Sequence, residues 1–231
     1  HNHTPDKEGL FEYLAGVVDF LIRLGIQGFR CDAAYQVPDV FWHRLIERTR
    51  KKHPGIVFVA ETLGCSPGET AQTAQAGFDC IFNSSKWWDF GSPWLLEQYT
   101  LTREETDSVS FPESHDTPRL AEELNGDFEA VKRQYLFSAV FSASVMMPIG
   151  FEHGFRKRLH VVNTRPADWE QTGVDLTGYI KAVNRIKTEN PVFQEDAPTE
   201  VLYSDNPEIL YLWKGSLHAQ QEVLIILNKD R

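Results

Sequence analysis

Up to about residue 190 this sequence alternates between two hydrophobic periods, and no other feature narrows its fold as much. "EGLFEYLAGVVDFLIRLG" sets Leu10, Leu14, Val17, Leu21 and Leu24 at helical spacing and stops at Gly25. "IQGFRC" follows as a short buried strand. "PDVFWHRLIERTRKKHPG" reads as a second helix, between Pro-Asp and Pro-Gly, and "IVFVAET" as a β-branched strand. "GETAQTAQAG" predicts a weak helix and "FDCIFNS" a strand, then a loop carrying Trp87, Trp88 and Trp94. "DSVSFPESHDTPR" is a strand that breaks at Pro112, "DFEAVKRQYLFSAVFSAS" a helix, "VMMPIG" a strand and "DLTGYIKAVNRIKTEN" a helix. Five strands separated by helices predict parallel pairing through crossover helices, an α/β fold. The rhythm then changes. "TEVLYS", "EILYLWKG" and "EVLIILNKD" are strands with short polar links and no helices between them, which predicts a second, antiparallel module.

Three acids share one placement in this pattern. Asp32 ends the first strand, Glu61 ends the second, and Asp116 follows the fourth. In a parallel α/β sheet or barrel the C-terminal strand ends gather reacting groups at one mouth. Carboxylates crowded there cannot all stay ionised cheaply, so one tends to keep its proton. An ionised carboxylate beside a protonated one is what retaining glycoside cleavage requires: the first attacks the sugar carbon, the second protonates the leaving oxygen. Arg30 lies two positions before Asp32, so on a strand it faces the same side and holds that carboxylate ionised and aimed. Ala33 and Ala34 leave space for a bulky substrate. Each acid also has a plainer reading. Asp32 suits a helix cap, and Ser-His-Asp-Thr-Pro suits a turn. Glu61 is harder to explain that way, since an acid after an apolar run must find a partner or titrate.

Other features bound the function. Formal net charge is −10 and basic runs are short, "RKR" at 156–158 among them, so a nucleic-acid partner is not expected. No run of 18 apolar residues suggests a membrane span. The three cysteines, Cys31, Cys65 and Cys80, cannot all pair within the chain and lack metal-knuckle spacing. They read as reduced thiols in a cytoplasmic protein with no metal and no cofactor. Cys31 points away from Arg30 and Asp32 and is expected to pack against helices. Trp87 and Trp88, just past a strand end, offer either sugar-stacking faces or ordinary loop packing. Arg156, Lys157 and Arg158 follow the fifth strand, where a barrel often holds phosphate; a solvated basic loop is the alternative. No signal peptide opens the sequence, and without an initiator Met it reads as a piece of something longer.

Taken together, "GFRCDAA", "VAET" and "ESHDTPR" resemble the second, third and fourth signature regions of the alpha-amylase superfamily, in the right order. The resemblance spans residues 7 to 228 or so. It implies Asp32 as nucleophile, Glu61 as general acid/base and Asp116 as transition-state stabiliser. It also implies that Arg30 orients the nucleophile and that His115 bonds sugar hydroxyls. The implied fold is a partial (β/α)8 TIM barrel, about strands four to eight, over residues 1–193, followed by the start of an antiparallel β C-terminal domain over 194–231. The family's first region, Asp-x-x-x-Asn-His, has no match in "HNHTPD", and Tyr35-Gln36 stand where many amylases have Lys-His. "MMPIGFEHGF" and "NRIKTENPVF" look closer to the maltosyltransferase branch that uses a sugar phosphate donor.

The expected partner is therefore an α-glucan or oligosaccharide. Two rivals stand beside this reading. A non-catalytic barrel fragment binds sugar at most and self-associates through exposed sheet edges. An aldolase or enolase-type lyase needs a Schiff-base lysine or a metal cluster at the strand ends, where this sequence has carboxylates, an Arg and a His.

Overall fold

The computed structural model describes residues 5–230. Residues 1–4, which open the stretch compared above with the family's first region, lie outside the described residues. Two compact units are present: the chain up to Asn83 together with Gln98–Ser108, and Ser84–Glu97 together with the chain from Val109 onward.

The first unit begins with α1 (Lys7–Arg23), capped by the Asp6 carboxylate, which accepts the Gly9 N–H at 2.7 Å. It continues through β1 (Gly28–Cys31), α2 (Asp39–Lys52), β2 (Val57–Ala60), α3 (Pro67–Ala74) and β3 (Cys80–Phe82). Ser66 and Glu69 close a reciprocal capping box on α3, which explains how a weak, alanine-rich segment stays helical. The strands are parallel, Gly28 through Cys31 pairing Val57 through Ala60 and Val59–Ala60 pairing Cys80–Ile81. The core joins Cys31, Ala34, Ile46, Phe58, Ala60, Phe78 and Ile81. The helical stripe of α1 differs from expectation. Phe11 and Ala15 are buried against Leu45, with Val18 packed beside them, whereas Leu10, Val17 and Leu24 are exposed. The buried line thus runs one position round the helix from the leucine line. β1 is likewise less buried than expected: among the described residues it pairs with β2 on one side.

The segment read as a tryptophan loop contains a helix, α4 (Trp94–Thr102), with Leu95 and Tyr99 buried at i, i+4 spacing. The chain passes from the first unit to the second within β4 (Asp107–Ser110).

In the second unit the end of β4 pairs in parallel with β5 (Ser144–Val145) through Val109–Ser144 and Ser110–Val145. Between them lie the short α5 (Leu120–Glu123) and α6 (Phe128–Phe141). Val131, Tyr135 and Ala139 are buried on one face of α6, and Phe137 and Phe141 on another, so it is a core helix rather than an amphipathic one. Against it packs α7 (Thr177–Glu189), with the Tyr135 hydroxyl donating to Asn184 at 2.7 Å. An antiparallel sheet follows: β6 (Thr199–Leu202), β7 (Ile209–Gly215) and β8 (Glu222–Asn228), in that order. Its Lys214 is fully buried and donates to the Phe141 carbonyl at 2.7 Å, while Lys187 of α7 donates to the carbonyls of Ala139 and Ser142 at 2.8 and 2.7 Å. Two lysines therefore cap the carbonyl end of α6, where a helix favours positive charge. Among the described residues no helix is long and apolar enough to cross a membrane.

Candidate active site

The first unit brings Arg30, Asp32 and Glu61 together. Because Cys31 pairs Ala60 in the register of β1 and β2, Asp32 and Glu61 occupy equivalent positions just past neighbouring parallel strands. The ladder continues one step beyond: Glu61 N–H donates to Cys31 O, and Ala34 N–H to Glu61 O, both at 2.9 Å. Arg30 forms an ion pair with Asp32, as their shared side of the strand requires. The two acids differ sharply in exposure. The Asp32 side chain is 79% exposed, and Glu61 is 7% exposed. Glu61 is held by two backbone donors: Ala33 N–H reaches Oε2 at 2.8 Å and Leu63 N–H reaches Oε1 at 2.5 Å. Each oxygen keeps a second lone pair for a proton. Ala33 adopts a left-handed conformation, φ 42°, to turn the chain after Asp32. Asp32 caps no α-helix; a short 3-10 turn follows, without a side-chain cap. Cys31 is buried on the opposite side, and burial pushes its thiol pKa up to about 12.

The second unit brings His115 and Asp116 together, with His115 Nε2 3.1 Å from Asp116 Oδ2. Ser-His-Asp-Thr is a hydrogen-bonded turn: Ser114 N–H donates to Thr117 Oγ1 at 2.9 Å, and Asp116 N–H to Ser114 Oγ at 3.2 Å. The turn presents the Asp116 carboxylate outward, 63% exposed. Arg158 holds the Asp116 carbonyl at 2.9 Å.

This turn rests on a pair that the sequence reading passed over. Glu113, 1% exposed, meets Arg119 at 2.6 Å and accepts the Leu120 N–H at 2.6 Å. Arg119 spends its other donors on the carbonyls of Ile149 and Lys157. Burial raises the Glu113 pKa, opposed by the Leu120 N–H and Arg119. In "FPES", as at Glu61, an acid follows apolar residues and must find a partner, which is the signal the sequence carries for Glu113. Lys86, its side chain also buried, pairs Glu123 at 2.6 Å.

The two tryptophans part company. Trp88 is 4% exposed, packs on Phe90, Phe137 and Phe141, and donates its indole N–H to Ser92 O at 2.7 Å. Its ring belongs to the core, so its expected place as a sugar-stacking face is not met. Trp87 is 51% exposed and rests edge-on against Phe111. Among the described residues no group of three or more metal-ligating side chains occurs.

Parallel strands joined by helices, with an antiparallel sheet after them and acids past the strand ends, define an α/β chain whose strand ends present carboxylates. No protein-family model matches the chain. The alpha-1,4-glucan:maltose-1-phosphate maltosyltransferase of Burkholderia pseudomallei is 27% identical to it over 91% of this chain and 20% of that protein. The enzyme of the same name from Corynebacterium glutamicum is 27% identical over 99% of this chain and 36% of that protein. A maltogenic alpha-amylase of Bacillus acidopullulyticus is 21% identical over 95% of this chain and 40% of its own length. Among solved structures, the alpha-amylase from H. orenii superposes with a TM-score of 0.79 at 16% identity, over 98% of this chain and 56% of that one. A Nostoc punctiforme debranching enzyme superposes with a TM-score of 0.72 at 18% identity, over 97% of this chain and 52% of that one. The chain is related to the alpha-amylase superfamily, near its maltosyltransferase branch, and matches a C-terminal portion of such proteins. It spans between 20% and 40% of the length of the curated relatives named here.

Proposed function

We propose that this chain carries the reacting carboxylates of a retaining α-glucosidic enzyme, within a (β/α)8 barrel of which it supplies about strands four to eight. The observation that carries this reading is the pairing of Asp32 and Glu61 at equivalent positions past adjacent parallel strands, one exposed and paired with Arg30, the other buried and fixed by two N–H donors. Asp32 attacks the anomeric carbon while Glu61 gives its proton to the departing oxygen. Glu61, now a base, takes a proton from the incoming hydroxyl as the glycosyl–Asp32 bond breaks. Arg30 holds the Asp32 carboxylate in place through their ion pair. Asp116 steadies the oxocarbenium-like state, His115 bonds sugar hydroxyls, and Trp87 offers a stacking face. The three free thiols suit a reducing compartment, the cytoplasm.

The incoming hydroxyl belongs to water or to a sugar. The names of the maltosyltransferase relatives favour a sugar, with maltose 1-phosphate as donor. The test is to incubate the chain with maltooligosaccharide, and separately with maltose 1-phosphate plus glucan, following products by proton NMR. An α-configured product that disappears in Asp32→Asn, with the circular dichroism spectrum unchanged, is the expected result. Equal turnover by Asp32→Asn removes the nucleophile assignment, and sugar binding without turnover favours a non-catalytic fragment.

A further inference from the structure

The chain after β5 builds a concave site that the proposed cleavage chemistry does not use. A cavity of about 320 Å³ lies within the second unit. Phe155 and Trp169 form its apolar wall, their rings edge to face at 4.9 Å. Gly150 makes room for that wall: its φ is +92°, and a Cβ there would run into the Phe155 ring.

Arg119, Lys157, Arg158 and Arg165 line the same cavity, against two acids, Asp168 and Glu170. The acids are already engaged by backbone. Glu170 Oε2 accepts the N–H groups of Arg156 and Lys157, each at 2.9 Å, and Asp168 Oδ2 accepts the Arg165 N–H at 2.9 Å. Arg119 is committed to Glu113 and two carbonyls. The other cations keep capacity. Among the described residues, Arg158 gives one donor to the Asp116 carbonyl and Arg165 gives Nη1 to the carbonyls of Val162 and Thr164, out of five donors per guanidinium. Among the described residues the Lys157 ammonium has no ion-pair partner. In a chain of formal net charge −10, this is a local reversal of the field, concentrated in a hollow.

We propose that this cavity binds a small phosphate ester, its phosphate on Lys157, Arg158 and Arg165 and its organic part against Trp169. Two arginines and a lysine supply charge-assisted donors suited to phosphate oxygens, and the indole face supplies contact area for a ring. No bond is made or broken. The proposal goes beyond the cleavage reading, and the two are told apart by variants of this cavity: binding that Lys157→Ala leaves unmoved removes the cavity proposal and leaves the cleavage reading standing.

Isothermal titration of the full chain with glucose 1-phosphate, inorganic phosphate and glucose tests it. Glucose 1-phosphate is expected to bind at least about tenfold tighter than glucose, and to weaken about tenfold in Lys157→Ala and in Arg165→Ala. Trp169→Ala is expected to weaken glucose 1-phosphate while sparing inorganic phosphate. Lys157→Ala removes no contact that the fold uses, so it remains informative if the Arg165 variant misfolds. Equal affinity for glucose and glucose 1-phosphate, absence of binding, or binding unmoved by Lys157→Ala overturns the proposal. Inorganic phosphate binding as tightly as the ester overturns the part assigned to Trp169.

Discussion

The Ala33 N–H donates to Glu61 Oε2 at 2.8 Å, so the proposed acid holds the peptide immediately after the proposed nucleophile. Glu61 is therefore scaffold as well as reactant. Glu61→Gln keeps one acceptor oxygen but turns an NH2 toward an N–H, and a cost of about 1–3 kcal/mol is expected. Glu61→Ala strands both the Ala33 and Leu63 donors and should cost more. Urea denaturation of both variants checks the order; equal stabilities would show that the two donors find water instead.

Ala33 itself bears the turn in a left-handed conformation, φ 42°. A β-branched side chain tolerates that region poorly. Ala33→Val should lose roughly 1–3 kcal/mol, and Ala33→Gly should stay within about 1 kcal/mol of the parent, relief of strain offsetting lost chain stiffness. Thermal melts of the pair measure the difference directly.

The buried Glu113–Arg119 pair gives a stability change and a pH dependence. Glu113→Ala leaves a buried guanidinium unpaired, and about 3–5 kcal/mol is expected to be lost. The pKa of Glu113 is raised by burial above its ordinary 4.5. The folded chain then holds this proton more tightly than the unfolded one, so the stabilisation is complete below the unfolded value and is lost as pH rises through the folded value. Chemical denaturation across weakly acidic pH should show this slope in the parent and not in Glu113→Gln.

Asp89 behaves in the opposite sense. Its carboxylate takes the Ser92 hydroxyl and the N–H groups of Ser92 and Gly91, and its pKa falls to about 2. Its contribution is present above the unfolded value and is lost as pH falls toward about 2. A carbon-detected NMR titration of the Asp89 carboxyl checks the midpoint, and an ordinary midpoint near 3.8 would show the turn to be open in solution.

Burial holds the Cys31 thiol at a pKa of about 12, so at pH 8 it should resist a thiol reagent in the folded chain and react once the chain is denatured. Counting labelled cysteines by mass spectrometry, site by site, tests this.

Much of the site was legible because strand ends are marked locally. Period-two and β-branched runs stop at Asp32 and Glu61, and Arg30 two positions earlier must share the Asp32 side. Contacts distant in sequence were less legible. Nothing local says that Trp88 turns inward to Phe137 while Trp87 turns out, or that Glu113 waits for an arginine six residues later. The α1 stripe misled for a related reason. Leucines at a perfect helical spacing mark an apolar line, but which of two adjacent lines is covered depends on α2, where Leu45 meets Phe11 and Ala15. The helix α4 was hidden by its own aromatic residues, which suggested a binding loop and instead place Leu95 and Tyr99 in the interior.

The buried Lys214 carries a consequence for anyone trimming this molecule. Its ammonium sits on the Phe141 carbonyl, so the last three strands supply part of the positive charge at the carbonyl end of a helix far earlier in the chain. Cutting before β6 would do more than remove an appendage: it would uncork α6 at the end where Lys187 also donates.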